Sequence, residues 1–148
     1  MGGWVYDILR NELFFARKGH GAWLNERRFT VSSVDTLSRA LIGIGTTVQK
    51  DDAHSLWPIY QRLFNEVQDV RRSGSAALDL AWTACGRLDG YVEKQLHVWD
   101  WAAGSLLVRE AGGQTSTWAG LPLSLSAPRQ SILASNGRLS TSLRQLLS

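Results

Sequence analysis

The stretch Val70-Arg71-Arg72-Ser73-Gly74-Ser75-Ala76-Ala77-Leu78-Asp79-Leu80-Ala81-Trp82-Thr83-Ala84-Cys85-Gly86-Arg87-Leu88-Asp89-Gly90-Tyr91-Val92-Glu93 decides the fold class. Val70-Arg71-Arg72 is short and extended. Ser75 is placed to cap a helix that runs to Cys85, with Ala77, Leu80, Ala81 and Ala84 inward and Gly86 ending it. Gly90-Tyr91-Val92-Glu93 then reads as a strand. The stretch is a strand–helix–strand unit, the building block of an α/β layer.

The pattern continues on both sides. Toward the C-terminus, a helix is expected from about Asp100 to Ala111, stopped by Gly112-Gly113. Strands are expected at 114–118 and 131–134, and a last helix carries Leu139, Leu143 and Leu146 on one side. Toward the N-terminus, Leu41 to Gly45 reads as a buried strand. An amphipathic helix follows, with Leu56, Tyr60, Leu63 and Val67 on one face and Trp57 and Phe64 beside them. A helix start near Ser55 would place Pro58 in the first turn, where a missing N–H costs nothing.

Residues 1–31 read differently. Trp4-Val5-Tyr6, Glu12 to Arg17, Ala22-Trp23-Leu24 and Arg28 to Val31 are short β-favouring runs separated by Gly and Asn turns. They predict an antiparallel meander. The expected organisation is an antiparallel piece over residues 1–33 feeding an α/β domain over 34–148, whose sheet is parallel or mixed.

Composition bounds the function. The chain has 148 residues, 44% apolar and 20% charged, enough for a packed core and too apolar for a disordered chain. No apolar run approaches the ~18 residues of a membrane span, and no secretory signal pattern follows Met1. The charge is only +3, with its bases scattered, which argues against a nucleic-acid stripe. Cys85 stands alone at the apolar end of a helix and is expected to be a buried, inert thiol. A single thiol favours a cytoplasmic location. The seven tryptophans show no period and are expected mostly in the core or at interfaces.

Two features can carry chemistry. Gly74-Ser75-Ala76 opens a helix, where free N–H groups and the positive dipole end attract anions or hydroxyl oxygens; a plain Ser cap explains the same residues. Glu93 ends a strand and Asp100 opens the next helix, so both carboxylates fall where α/β sheets gather ligands, and together they could hold Mg²⁺. Asp100 as an N-cap and Glu93 as a surface partner of Lys94 or an arginine are the structural alternatives. His20, His54 and His97 are isolated, and Ser73 and Ser75 have no histidine nearby to act as base.

Taken together, these residues resemble the inositol monophosphatase family. Gly3-Trp4-Val5-Tyr6-Asp7 with Arg10-Asn11-Glu12-Leu13-Phe14 is similar to that family's G-V-V-Y-D-P-x-R-D-E-L-F hairpin, and Gly19 to Asn25 to its G-x-G-A-F-x-N turn. Arg72 to Ala81, continuing through Cys85 to Tyr91 and Glu93, matches a third passage. Trp99-Asp100-Trp101-Ala102-Ala103-Gly104 with Glu110-Ala111-Gly112-Gly113 looks like the W-D-x-A-A-G…E-A-G-G signature. Ile8 and Trp101 depart from the usual Pro and smaller aliphatic, which touches packing only.

The resemblance implies a layered α/β/α/β/α sandwich of the sugar-phosphatase type, here the C-terminal α/β domain plus the end of the antiparallel sheet. It implies a Mg²⁺-dependent, lithium-sensitive phosphomonoesterase acting on inositol monophosphate or a similar small phosphorylated polyol, commonly as a homodimer. Asp100 would be the catalytic metal ligand. Gly74, Ser75, Ala76 and Glu93 would bind substrate. The family's D-P-[IL]-D-G-T metal motif and the Glu-containing loop before it do not occur among the 148 residues; Leu88-Asp89-Gly90-Tyr91 is no substitute. The chain is therefore expected to be a truncated and inactive C-terminal portion. The alternatives are a histidinol-phosphate or 3′-phosphoadenosine phosphatase, and a non-catalytic binding or assembly module.

Overall fold

Alternation of side chains lays down the first sheet. In β1 (Gly2–Asp7), Gly3, Val5 and Asp7 are buried while Trp4 and Tyr6 face out, the period of a half-buried strand. β1, β2 (Glu12–Arg17), β3 (Gly21–Leu24) and β4 (Arg27–Phe29) pair antiparallel in chain order, as the meander reading expects. The β3–β4 turn holds Asn25 at φ 43° and Glu26 at φ 70°, the two left-handed positions of a type I′ hairpin.

The computed structural model describes residues 1–46 and 50–148. Its second sheet joins β5 (Leu41–Ile44), β6 (Asp69–Arg71), β7 (Gly90–Leu96), β8 (Gln114–Ser116) and β9 (Gln130–Ser135) in the order β6-β5-β7-β9-β8. β5 runs parallel to both β6 and β7, whereas β9 is antiparallel to β7 and β8. The sheet is mixed, and its three parallel strands end at one edge.

Among the described residues four α-helices fill the layers: α1 (Lys50–Glu66), α2 (Ala76–Ala84), α3 (Val98–Glu110) and α4 (Ser140–Leu147). α2 and α3 lie between the sheets. There Phe14 and Ala16 of β2 meet Leu80 and Ala84, Leu107 and Val108, and Tyr91, Ile132 and Ala134 of the second sheet. α1 and α4 cover that sheet's other face, where Ile42, Val92 and Leu133 meet Leu56, Leu63 and Leu143. The order is β/α/β/α. Burial of these side chains is worth roughly 1.5–3 kcal/mol each before the entropy of ordering them is subtracted.

Small residues set how closely the layers approach. A Cβ on Gly3 would lie 3.1 Å from the Ala103 Cα, and one on Gly104 would lie 2.5 Å from the Leu80 Cβ. β1 is thus pressed on α3, and α3 on α2. Glu110 joins two more of the quoted motifs: its carboxylate accepts the backbone N–H groups of Gly19 and Gly21, both at 2.9 Å. The glycine turn of the first sheet is tied in this way to the last turn of α3.

Several sequence expectations are corrected. α1 begins at Lys50, so Pro58 lies inside the helix and not in its first turn; the ring removes the bond that would reach the His54 carbonyl. Trp57 and Phe64 are 71% and 59% exposed, because their helical positions fall at the margin of the buried stripe. α3 starts at Val98, two residues before Asp100, with His97 at the cap. Asp100 is therefore not the N-cap: it sits in the first turn, and its Oδ2 accepts the His97 N–H at 3.0 Å. Of the tryptophans only Trp101 is buried, while Trp4, Trp57 and Trp99 are largely exposed. Cys85 is half-buried, its Sγ near the Trp82 carbonyl, and burial pushes the thiol up from its ordinary value. Asp89 accepts the Leu41 N–H at 2.7 Å and the Ser32 hydroxyl at 2.6 Å, which is a structural tie.

Candidate active site

β6 and β5 deliver their carboxyl ends to one place, where Arg72 and Gly45 follow the strands; Glu93 does not end its strand, as expected from the sequence, but lies within β7, which runs on to Leu96, just past the last residue paired with β5. α2 begins beside them: Ser75 caps it with its hydroxyl accepting the Leu78 N–H at 3.4 Å, and Gly74 at φ +88° makes the turn into it. Between these elements lies a cavity of about 210 Å³. Gly74, Ser75, Ala76 and Glu93 all line it. A larger, shallow concavity of about 780 Å³ covers the outer face of the first sheet over Trp4, Leu13, Phe15 and Trp23. It is mostly apolar and among the described residues only one titratable side chain, Glu26, lines it, so chemistry belongs to the smaller site, where Asp79 and Glu93 meet.

Glu93 is held firmly. The Tyr91 phenol donates a short hydrogen bond to its Oε2, and a Cβ on Gly45 would sit 2.0 Å from that same oxygen. Only glycine leaves the carboxylate room against β5. The Tyr60 hydroxyl, from α1, closes the site by a short bond to the Gly45 carbonyl. Burial raises the pKa of Glu93, and the negative charge of Asp100 raises it further. The Tyr91 hydroxyl and the Arg72 guanidinium act the other way. Burial likewise pushes the Tyr91 and Tyr60 phenols well above their ordinary range, so both remain donors.

Asp100 does not line the cavity. It stands at the start of α3, close enough for its charge to act on Glu93. With Oδ2 engaged by the His97 N–H, its other oxygen is the donor that a cation could use. Among the described residues no three His, Cys, Asp or Glu side chains are grouped to hold a metal ion. The donor set present fits Mg²⁺ in kind, a hard carboxylate oxygen, but supplies one ligand.

Sequence reasoning missed four contributors: Asp79, Tyr91, Gly45 and Arg72. Asp79 is the most telling. It is 1% exposed, lines the same cavity, and its Oδ1 has no hydrogen-bond partner. Burial pushes its carboxyl up to about 6, and the negative charge of Glu93 acts in the same direction. The available signal was a single carboxylate in an otherwise apolar helix, AALDLAWTA.

The model of the inositol monophosphatase family matches residues 1–148. The inositol-1-monophosphatase of Synechocystis sp. is 44% identical over 146 residues, covering 98% of this chain and 50% of that protein. The Nus factor SuhB of Xylella fastidiosa is 41% identical over 152 residues, covering 97% of this chain and 54% of that protein. The solved inositol monophosphatase of Anabaena superposes with a TM-score of 0.92 at 39% identity, covering 99% of this chain and 57% of that one. The chain spans about half the length of the curated relatives it matches. On residues 1–148, the chain belongs to the inositol monophosphatase family.

Proposed function

We propose that these residues form the substrate side of a Mg²⁺-dependent phosphomonoesterase site that takes inositol monophosphate or a similar small polyol phosphate. The observation that carries this reading is the meeting of Glu93 with the Gly74-Ser75-Ala76 helix start in one cavity beside the carboxyl ends of the parallel strands β5 and β6. The Glu93 carboxylate would accept hydroxyls of the polyol ring, oriented by Tyr91. The α2 N-terminus would meet the substrate with free N–H groups and its positive dipole end.

Asp100 would hold Mg²⁺ beside the leaving oxygen. When bound, the ion supplies charge neutralisation at that oxygen and an acidified water. One carboxylate binds Mg²⁺ weakly, so the remaining ligands must come from outside these 148 residues, and the 148-residue chain alone is expected to be inactive. Homodimer formation, a cytoplasmic location, and an absence of nucleic-acid or membrane partners accompany this reading. The test is phosphate release from myo-inositol 1-phosphate with Mg²⁺. The purified chain should show none above background, and sustained Mg²⁺-dependent turnover would overturn the metal half of the proposal.

A second reading, a non-catalytic binding module, is favoured by the relative named Nus factor SuhB. It predicts that Glu93→Gln leaves every interaction of the chain intact. The phosphatase reading predicts loss of polyol binding in that variant.

A further inference from the structure

A second cavity, of about 350 Å³, opens at the edge of the mixed sheet opposite β6, and the proposed phosphatase chemistry has no use for it. It lies along β8, the outermost strand, between the end of α3 and the start of α4. Its lining is cationic. Arg109 reaches it from the last turn of α3 and Arg144 from α4, with Gln114, Thr115, Ser116 and Ser140 supplying amide and hydroxyl groups. Among the described residues no Asp or Glu lines it.

Both guanidinium groups are held in place, and neither has a counter-charge. Nη1 of Arg109 donates to Thr115 Oγ1 at 3.2 Å, which leaves most of its five N–H groups for another acceptor. Arg144 lies across the Gly120 turn, where a Cβ on Gly120 would sit 2.5 Å from its Nη1. Ser140 stands one turn before Arg144, so the two share a face of α4, and its hydroxyl is bonded to that of Ser135 at 2.6 Å. Among the described residues the ion pairs are those of Asp7 with Arg10, Asp69 with Arg71 and Glu12 with Arg87, so neither cavity arginine belongs to one. The sequence supplies no acid nearby: residues 111–148 hold Arg129, Arg138 and Arg144 and no Asp or Glu. Glu110, next to Arg109, has both carboxylate oxygens engaged by the Gly19 and Gly21 N–H groups. Two unneutralised cations in a concave wall focus a positive potential, and arginine is the side chain suited to bidentate recognition of phosphate or carboxylate.

We propose that this cavity binds a small polyanion, a ligand carrying two phosphate or carboxylate groups, one held by Arg109 with Thr115 and the other by Arg144 with Ser140. The site shares no lining residue with the Gly74–Glu93 cavity. It does not depend on the function proposed above.

The test uses pyrophosphate as probe, titrated into the isotope-labelled 148-residue chain at low salt with EDTA present, so that no divalent cation takes part. Amide shifts should fall on residues 113–116, Gly120 and Ser140. Arg109→Gln and Arg144→Gln should each weaken binding at least about tenfold, the loss of a charge-assisted pair. Gly120→Ala, which displaces the end of Arg144, should weaken it several-fold. Arg138→Gln makes the same charge change outside the cavity and should alter binding less than about twofold. Glu93→Gln should leave it unchanged. Both cavity arginines are exposed, so their variants should keep the native amide spectrum elsewhere. Citrate as a second probe separates the two ligand sources: tighter pyrophosphate assigns a phosphorylated ligand, and tighter citrate a polycarboxylate. Absence of binding by either probe, shifts confined to the Gly74–Glu93 cavity, or a loss in Arg138→Gln equal to that in Arg144→Gln overturns the proposal.

Discussion

The Tyr91 hydroxyl donates its hydrogen bond to the Glu93 carboxylate two residues further along the same strand. Both side chains point to the same face of β7, since they are two apart. The bond favours the charged form of Glu93 against burial and against Asp100. Tyr91→Phe should therefore raise the pKa of Glu93 further and move the acidic limb of any polyol-binding profile to higher pH. Carboxyl NMR of Glu93 in the two proteins checks this. A midpoint that stays put or falls would show that the tyrosine does not act on it.

Gly45→Ala places a methyl group where the Glu93 oxygen lies. The end of a glutamate side chain can move, so the fold should survive with a loss of about 1 kcal/mol. The displaced carboxylate should lose Tyr91 and with it the polyol. Calorimetric melting together with myo-inositol titration separates the two effects, and intact binding in the variant would mean that polyol binding does not depend on the placement of Glu93 against Gly45.

Asp79→Asn should stabilise the chain in a pH-dependent way. The folded-state pKa of Asp79 is raised, so the folded state holds its proton more tightly than the unfolded chain. Stability from this group is fully present below the ordinary carboxylate range and declines as pH rises through about 6. Above that pH, removing the charge should recover on the order of 2 kcal/mol. Chemical denaturation at pH 5 and pH 8 is the measurement; the gain should appear at pH 8 and shrink at pH 5. If this is so, the site keeps a buried carboxylate at a cost to stability, as is common at functional sites.

Glu110→Gln should behave in the opposite sense. The Gly19 and Gly21 N–H groups lower the pKa of Glu110. Its contribution is present above the ordinary carboxylate range and lost as pH falls through the lowered folded value. At neutral pH the substitution should cost roughly 1–2 kcal/mol, since bonds to a charged acceptor are the stronger kind. Melting curves across pH should converge for the two proteins in acid.

Much of the architecture was legible because its signals are local. The period-2 alternation of Trp4-Val5-Tyr6, the Ser75 cap with Gly86 closing its helix, and the Gly112-Gly113 stop each name their element without reference to the rest. Pro58 misled for the same reason. Local reasoning puts it in a first turn, while α1 begins at Lys50, so the proline stands inside the helix. Asp100 was placed at a helix start correctly in kind, but the cap belongs to His97, a residue with weak capping preference. The site divides along the same line. The Gly74-Ser75-Ala76 turn announces itself by its position at a helix start, and Glu93 by its place on the strand before the next helix, although β7 runs three residues beyond it. Gly45 and Tyr91 contribute through contacts between strands that no spacing reveals, and Asp79 looks from the sequence like one more residue of a helix.

The central claim is that one cavity, lined by Gly74, Ser75, Ala76 and Glu93 with Asp100 beside it, receives a polyol phosphate and a cation. Amide NMR of the chain titrated with myo-inositol 1-phosphate, with and without Mg²⁺, tests it most directly. The account predicts shifts confined to those residues and their neighbours Tyr91 and Asp79, with the Asp100 signal moving only when Mg²⁺ is present and losing that response in Asp100→Asn. Shifts centred on the Trp4–Trp23 face of the first sheet, or a Mg²⁺ response that persists in Asp100→Asn, would contradict it.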